Sequence, residues 1–267
     1  MATREATHLQ LLQQAGARGE PLAASHLRSL GISADLQQHY ARSGWLERVD
    51  RGLFVRPGQE VRWPGVVQVL QRQLHLPVHI GSVAALMLRG RTHTLTLGEG
   101  AAGGVTLFGP PGVGVPAWLG RLHAAASLEV VRSSSLPAGG TDADAAGVET
   151  LAVEGFDLAV SSAERAILEA VLRFPEAVDA ETLRHLIEGL VDLRPRRLAE
   201  LLRACRLQRV VRVFLVLAER ARHPWFRHLD LTGLGPGPGK VQVAGGGVYV
   251  PAQRVSVPAK LLGEDQP

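Results

Sequence analysis

The chain has 267 residues, 46% of them hydrophobic and 20% charged, which suits one large domain or two ordinary ones with a properly buried core. No apolar run reaches membrane-spanning length, and the opening MATREATHLQ lacks the basic-then-apolar pattern of a signal peptide, so a soluble, cytoplasmic protein is expected. A formal charge of +4 and a pI near 9.9 lean basic without choosing a partner.

Thr7 to Ala15 gives a first helix, with Leu9, Leu12 and Gln13 on its inner edge. A second helix is expected from Pro21, a residue suited to a first helical turn, and carries Leu22, Ala23, His26, Leu27 and Leu30 up to Gly31. Ser33 caps a third helix with Leu36 and Tyr40 on one inner face, and Gly44 closes it. WLERV then alternates as a strand, Asp50-Arg51-Gly52 is turn chemistry, and LFV returns. Three helices and a hairpin within residues 1–58 are the parts of a winged helix-turn-helix.

After Pro57-Gly58 the pattern becomes that of a larger α+β domain over residues 59–267. WPGVVQVLQRQL reads as helix, PVHI as a buried strand and SVAALMLRG as helix. THTLTL, GVTLFG, LEVVRS and FDLAV read as strands. Ser161 and Glu164 form a capping box ahead of the helix SAERAILEAVLRF, and three further helices follow, ETLRHLIEGLV, PRRLAELLRACRL and QRVVRVFLVLAERA. The tail GKVQVAGGGVYVPAQRVSV reads as a small β-hairpin with an irregular end.

The spacing between Leu27 and Leu36 fits a helix that presents its N-terminal half to a major groove. Ser33 opens that helix, and Ala34, Gln37, Gln38 and Arg42 are expected to lie away from Leu36 and Tyr40. Glutamine can pair with an adenine edge through two hydrogen bonds, and a small alanine can touch a thymine methyl. Arg48, Arg51 and Arg56, in and around the hairpin, could hold phosphates. A winged helix with ordinary polar residues that contacts another protein remains the alternative.

Between Arg184 and Arg227 eleven arginines face four acidic residues, Glu188, Asp192, Glu200 and Glu219, whereas 129–192 is acidic by comparison. Arg196 and Glu200, and Glu200 and Arg203, stand at pairing distance along a helix. Arg206, Arg209 and Arg212 have no local acids, so they form either a solvated face or a phosphate-binding surface.

GPPGVGVP and GPGPGK invite a phosphate-loop reading. The second has Leu234 at the first required glycine and Val241 where a Ser or Thr should bind magnesium, so both are read as turns. His75 and His79 are four apart with Pro77 between them, which rules out a zinc-binding helix face, and Cys205 is the only cysteine. Neither Lys240 nor Lys260 sits in an acidic-x-Lys triplet of the kind a metal-dependent nuclease uses. No catalytic residue, metal site or cofactor is expected.

The ordered set HYARSGWLERVDRGLFVRPG, LPVHIGSVAALMLRG, VTLFGPPG, SSAERAILEAV, VFLVLAERARHPWFRHLDL, GPGK, and VY followed by VSVP resembles the AbiEi family of antitoxins from type IV toxin–antitoxin systems, over nearly the full length. The resemblance implies an N-terminal winged helix that represses its own operon by binding inverted-repeat double-stranded DNA. It also implies a C-terminal domain that counteracts a nucleotidyltransferase toxin of the AbiEii type without a stable complex. Lys240 stands beside Arg206, Arg209 and Arg212 as a candidate antitoxicity or phosphate contact. Val241 departs from the arginine that similar proteins tend to carry after the Gly-Lys pair. The competing reading is a stand-alone transcription regulator whose second domain binds a ligand or a partner.

Overall fold

The computed structural model describes residues 8–12, 14–16, 19–91, 104–125, 127–138, 147–235, 237–243 and 247–263. Gln13 and the strand expected at 92–97 lie outside the described residues. The architecture is α+β, with a winged helix-turn-helix at the N-terminus followed by a five-stranded mixed sheet and its helices.

Helix α1 covers 8–12, followed by strand β1 (Leu22–Ala23), helices α2 (Ala24–Ser29) and α3 (Ala34–Arg42), and strands β2 (Glu47–Asp50) and β3 (Leu53–Val55). The hairpin forms as its turn residues require, with Gly52 at φ +81°. The helix expected from Pro21 starts three residues later. Leu22 and Ala23 pair antiparallel with Phe54 and Leu53, because β3 has a second edge to satisfy and that distant pairing overrides local helical periodicity. Leu12, Leu22, Leu27, Ile32, Tyr40, Leu46 and Phe54 form a small core of their own.

Helix α4 (Trp63–Gln68) runs into a π-helical turn over Val69–Gln73. The added residue in that turn aims two glutamines in different directions. Buried Gln71 donates to Val78 O and Ala159 O and accepts from Ala159 N, so it ties the helix to the large sheet. Gln73 accepts from Ala23 N at 2.8 Å and donates to Pro21 O at 2.8 Å, which clamps β1 to the second domain.

The large sheet comprises β4 (His79–Ile80), β5 (Val105–Gly109), β6 (Leu128–Arg132), β7 (Val148–Val153) and β8 (Phe156–Ser161), in the order β6-β5-β4-β8-β7. β7 has no counterpart among the strands read from sequence. It pairs antiparallel with β8 from Val148–Ser161 to Val153–Phe156. Helix α5 (Ser82–Leu88) lies between β4 and β5 in sequence.

Helices α6 (Ala163–Leu172), α7 (Ala180–Gly189), α8 (Pro195–Ala204) and α9 (Gln208–Ala221) follow, with α9 buried continuously from Val210 to Ala218. In the tail, β10 (Val248–Val250) and β11 (Val255–Val257) form the expected hairpin, and β9 (Val241–Gln242) adds parallel to β11. The large core runs through this whole region and takes in Ala23 and Leu53 from the winged helix.

One expected cap moves by a residue. Ser162 is the N-cap of α6, its hydroxyl accepting from Arg165 N. Ser161 instead donates its hydroxyl to Glu169 at 2.7 Å. Glu169, fully buried, also accepts from Arg165 Nε at 2.7 Å and from Ser82 N at 3.1 Å, and it meets His79 Nε2 at 2.8 Å. Burial alone would raise its carboxyl, but His79, Arg165 and Ser161 together hold it well below the ordinary carboxylate range. His79 is thus a structural histidine of the core.

Candidate nucleic-acid interface

Helix α3 is set at an angle to α2 by the turn Leu30-Gly31-Ile32, in which Gly31 takes φ +86° and Ile32 is wholly buried. Ser33 opens it, the hydroxyl accepting from Leu36 N at 3.3 Å, and Asp35 adds a negative charge to the first turn, where the helix dipole favours it. Tyr40 fills the small core and Leu36 is half-buried. The outward stripe is Ala34, Asp35, Gln38, His39 and Arg42, all exposed, with Arg42 Nη2 reaching Gln38 Oε1 at 3.4 Å.

Gln37 is a correction. It is only 3% exposed, and its side-chain amide donates to Ala24 O at 3.0 Å and Ile32 O at 2.9 Å. The amide holds the turn and the start of α2 against α3, so it has no donors left for a base edge. Asp35 and His39 were missed from the expected face, although the i, i+4 spacing that links Ala34, Gln38 and Arg42 also links Asp35 to His39. A carboxylate can accept from a cytosine amino group, so Asp35 enlarges the range of bases such a stripe could read.

In the hairpin, Arg48 is exposed and lies over the Phe54 ring at 5.7 Å. Arg51 is exposed at the turn, and Arg56 is half-buried with its stem beside Gly16. Trp45, nearly half exposed, stands between the end of α3 and the start of this hairpin in the chain.

The arginines of the second domain divide differently from the expectation. Arg209 is half-buried and donates to Phe174 O at 2.9 Å and Leu172 O at 3.1 Å, capping the C-terminal end of α6. Arg212 is 1% exposed and donates to Gly239 O at 3.0 Å, Arg254 O at 3.1 Å and Pro238 O at 3.1 Å. Arg212 is shut away from solvent and belongs to no phosphate-binding surface, and Arg209, though partly exposed, has both terminal nitrogens committed to carbonyls of the fold. With few acids nearby, each guanidinium turns to the backbone carbonyls that packing brings within reach.

Arg206 and Lys240 are exposed, and Lys240 sits 5.0 Å from the Tyr249 ring centroid. Within GPGPGK, the described residues 237–240 form neither helix nor strand, and Pro238 O and Gly239 O accept from Arg212. Arg196 pairs with Glu200 as its spacing suggested, but Arg203 turns away from Glu200 to Asp230. Among the described residues no helix is long and apolar enough to cross a membrane.

Two family models match the chain in succession. Residues 5–97 match the N-terminal domain of transcriptional regulators that are AbiEi antitoxins. Residues 102–258 match the model described as transcriptional regulator, AbiEi antitoxin, type IV toxin–antitoxin system. Among curated proteins none matches significantly. Among solved structures, the RV2827C protein from Mycobacterium tuberculosis is similar in fold, at 16% identity and a TM-score of 0.58, over 91% of this chain and 89% of that one. The two domain matches run in order and between them cover most of the sequence: the chain belongs to the AbiEi family of transcriptional regulators, the antitoxins of type IV toxin–antitoxin systems.

Proposed function

We propose that the chain represses its own operon by reading inverted-repeat double-stranded DNA with α3, and that its second domain counteracts a nucleotidyltransferase toxin of the AbiEii type without a stable complex. The observation that carries the DNA reading is the outward stripe Ala34, Asp35, Gln38, His39 and Arg42 on a helix fixed by a capped N-terminus and a buried Gln37. Hydrogen-bonding side chains on a rigid helix are what direct readout of base edges requires. Arg48 and Arg51 supply phosphate contacts beside it. In the second domain Arg206 and Lys240 remain the outward cations of the original candidates.

The division of labour places reading in residues 1–58 and antitoxicity in residues 59–267. Fluorescence anisotropy with duplexes from the chain's own upstream region, against scrambled duplexes, tests the first half. Preference for the upstream repeats is the expected result, and equal binding to both duplexes would remove α3 as a reader. Growth rescue beside a co-expressed nucleotidyltransferase from the neighbouring gene tests the second half, and no rescue by the full chain would overturn it.

A further inference from the structure

The segment that begins as GPPGVGVP carries no phosphate-loop chemistry, yet it brings a cation of the second domain onto the winged helix. β5 ends at Gly109, where an added Cβ would stand 2.9 Å from Val113 and 3.1 Å from Val78, so the chain turns there in close contact with its neighbours. Val113, Trp118 and Leu119 are buried in the large core, and successive turns place Leu119 N on Pro116 O and Arg121 N on Trp118 O, each at 3.0 Å. Anchored in this way, Arg121 grips Asp50 with a two-point fork: Nε to Oδ2 at 3.0 Å and Nη2 to Oδ1 at 2.8 Å.

Asp50 ends β2 at the turn of the hairpin, and its carboxylate also accepts from the backbone amide of Arg51. That hydrogen bond helps shape the turn, but the charge that comes with it falls in the same short hairpin as Arg48 and Arg51, between them in sequence, and these are the two groups proposed to hold phosphates. An unopposed carboxylate there would repel the same phosphates. An aspartate carboxyl is ionised at neutral pH at its ordinary value, and the hydrogen bond from Arg121 lowers it further, so Asp50 carries its negative charge whether or not Arg121 is there to offset it.

We infer that Arg121 is a positioning residue for DNA binding that acts through Asp50: it neutralises the carboxylate so that the hairpin meets the phosphate backbone with Arg48 and Arg51 unopposed. The inference rests on the DNA-binding reading, and it makes the second domain a contributor to DNA affinity without a base contact of its own.

The test is anisotropy with the full chain on upstream and scrambled duplexes across a salt series. Arg121→Ala leaves Asp50 uncompensated. It should flatten the salt slope by about 0.9 and weaken binding about eightfold at 0.1 M salt, on both duplexes alike. Adding Asp50→Asn to Arg121→Ala should return affinity to within about twofold of wild type, since the added charge is gone and the amide oxygen still accepts from Arg51 N. Arg196→Ala, at a fully exposed position on α8, should change neither quantity.

Unchanged binding by Arg121→Ala overturns the inference. So does a double variant as weak as the single one, which would make Arg121 a direct phosphate contact or a strut. Failure of the wild-type chain to bind any duplex would remove the DNA-binding reading itself, a result distinct from either.

Discussion

The winged helix and the domain behind it treat charge in opposite ways. Around its small core the winged helix buries one polar side chain, Gln37, and no charged one among the described residues. The second domain buries Glu164, Arg165, Glu169 and Arg212, together with His79. Burying a charge is tolerable only where several hydrogen-bonding partners can be brought around it, and that takes many elements converging on one place. Seven core side chains cannot organise such a shell, so the small unit sends its charges outward, where they can meet a polyanion. The larger unit also carries exposed arginines, but it turns two of them, Arg165 and Arg212, inward, where they hold the fold.

The sharpest way to break this contrast is to remove a buried charge. Glu169→Gln leaves Arg165 without its counter-charge and should cost about 3–5 kcal/mol in urea unfolding at pH 7. The pH profile gives the same answer with a definite sign. A carboxylate whose folded pKa is depressed stabilises the fold above its unfolded value, near 4.5, and that stability is lost as pH falls towards the folded value of about 2. The wild-type chain should therefore lose stability steeply below about pH 4.5, and Glu169→Gln should flatten that slope. An equally steep acid limb in the variant would show that other carboxylates control acid unfolding.

Next in size, Arg212→Gln removes charged hydrogen bonds to three carbonyls and should cost about 3 kcal/mol. Antitoxicity should fall only as far as the folded fraction does. A variant as stable as wild type yet without protection would return Arg212 to the surface as a functional group.

Within α3, the contrast appears between neighbours. Gln37→Ala strands two backbone carbonyls and should cost about 1–3 kcal/mol of stability while leaving the preference for operator over scrambled duplex intact. Gln38→Ala should do the reverse, costing about 1–3 kcal/mol of discrimination with little change in melting temperature. If the two effects are exchanged, the outward stripe has been misassigned. The smallest effect belongs to Arg196→Ala, which loses only an exposed pair with Glu200 and should shift stability by about 0.5 kcal/mol or less by thermal melting.

What could be read in advance follows from the same contrast. α3, its Ser33 cap and the hairpin were legible because one side faces solvent, so apolar spacing and turn residues decide the local structure. Helices α7 and α8 were legible for the same reason along their apolar faces. Gln37 was not: an amide in a helix carries no mark of whether its partners are bases or the carbonyls of Ala24 and Ile32. Arg209 and Arg212 failed similarly, since α9 is buried nearly all round and an arginine there takes whatever carbonyls the fold supplies. β1 and the Arg203–Asp230 pair depend on contacts about 30 residues away, which spacing along one element cannot report. The family resemblance, carried by the order of several weak motifs, held where single residues did not.

The Gln73 clamp bears on where the chain can be cut. β1 has β3 on one side, and on the other Gln73 occupies both the amide of Ala23 and the carbonyl of Pro21 with a single side chain. A fragment ending just after the hairpin would lose that side chain and bare an apolar strand edge, Leu22–Ala23, as a template for a neighbouring molecule. Extending the fragment to residue 97, where the N-terminal family match ends, keeps the plug in place. The shorter piece should self-associate at concentrations where the longer one remains monodisperse in light scattering.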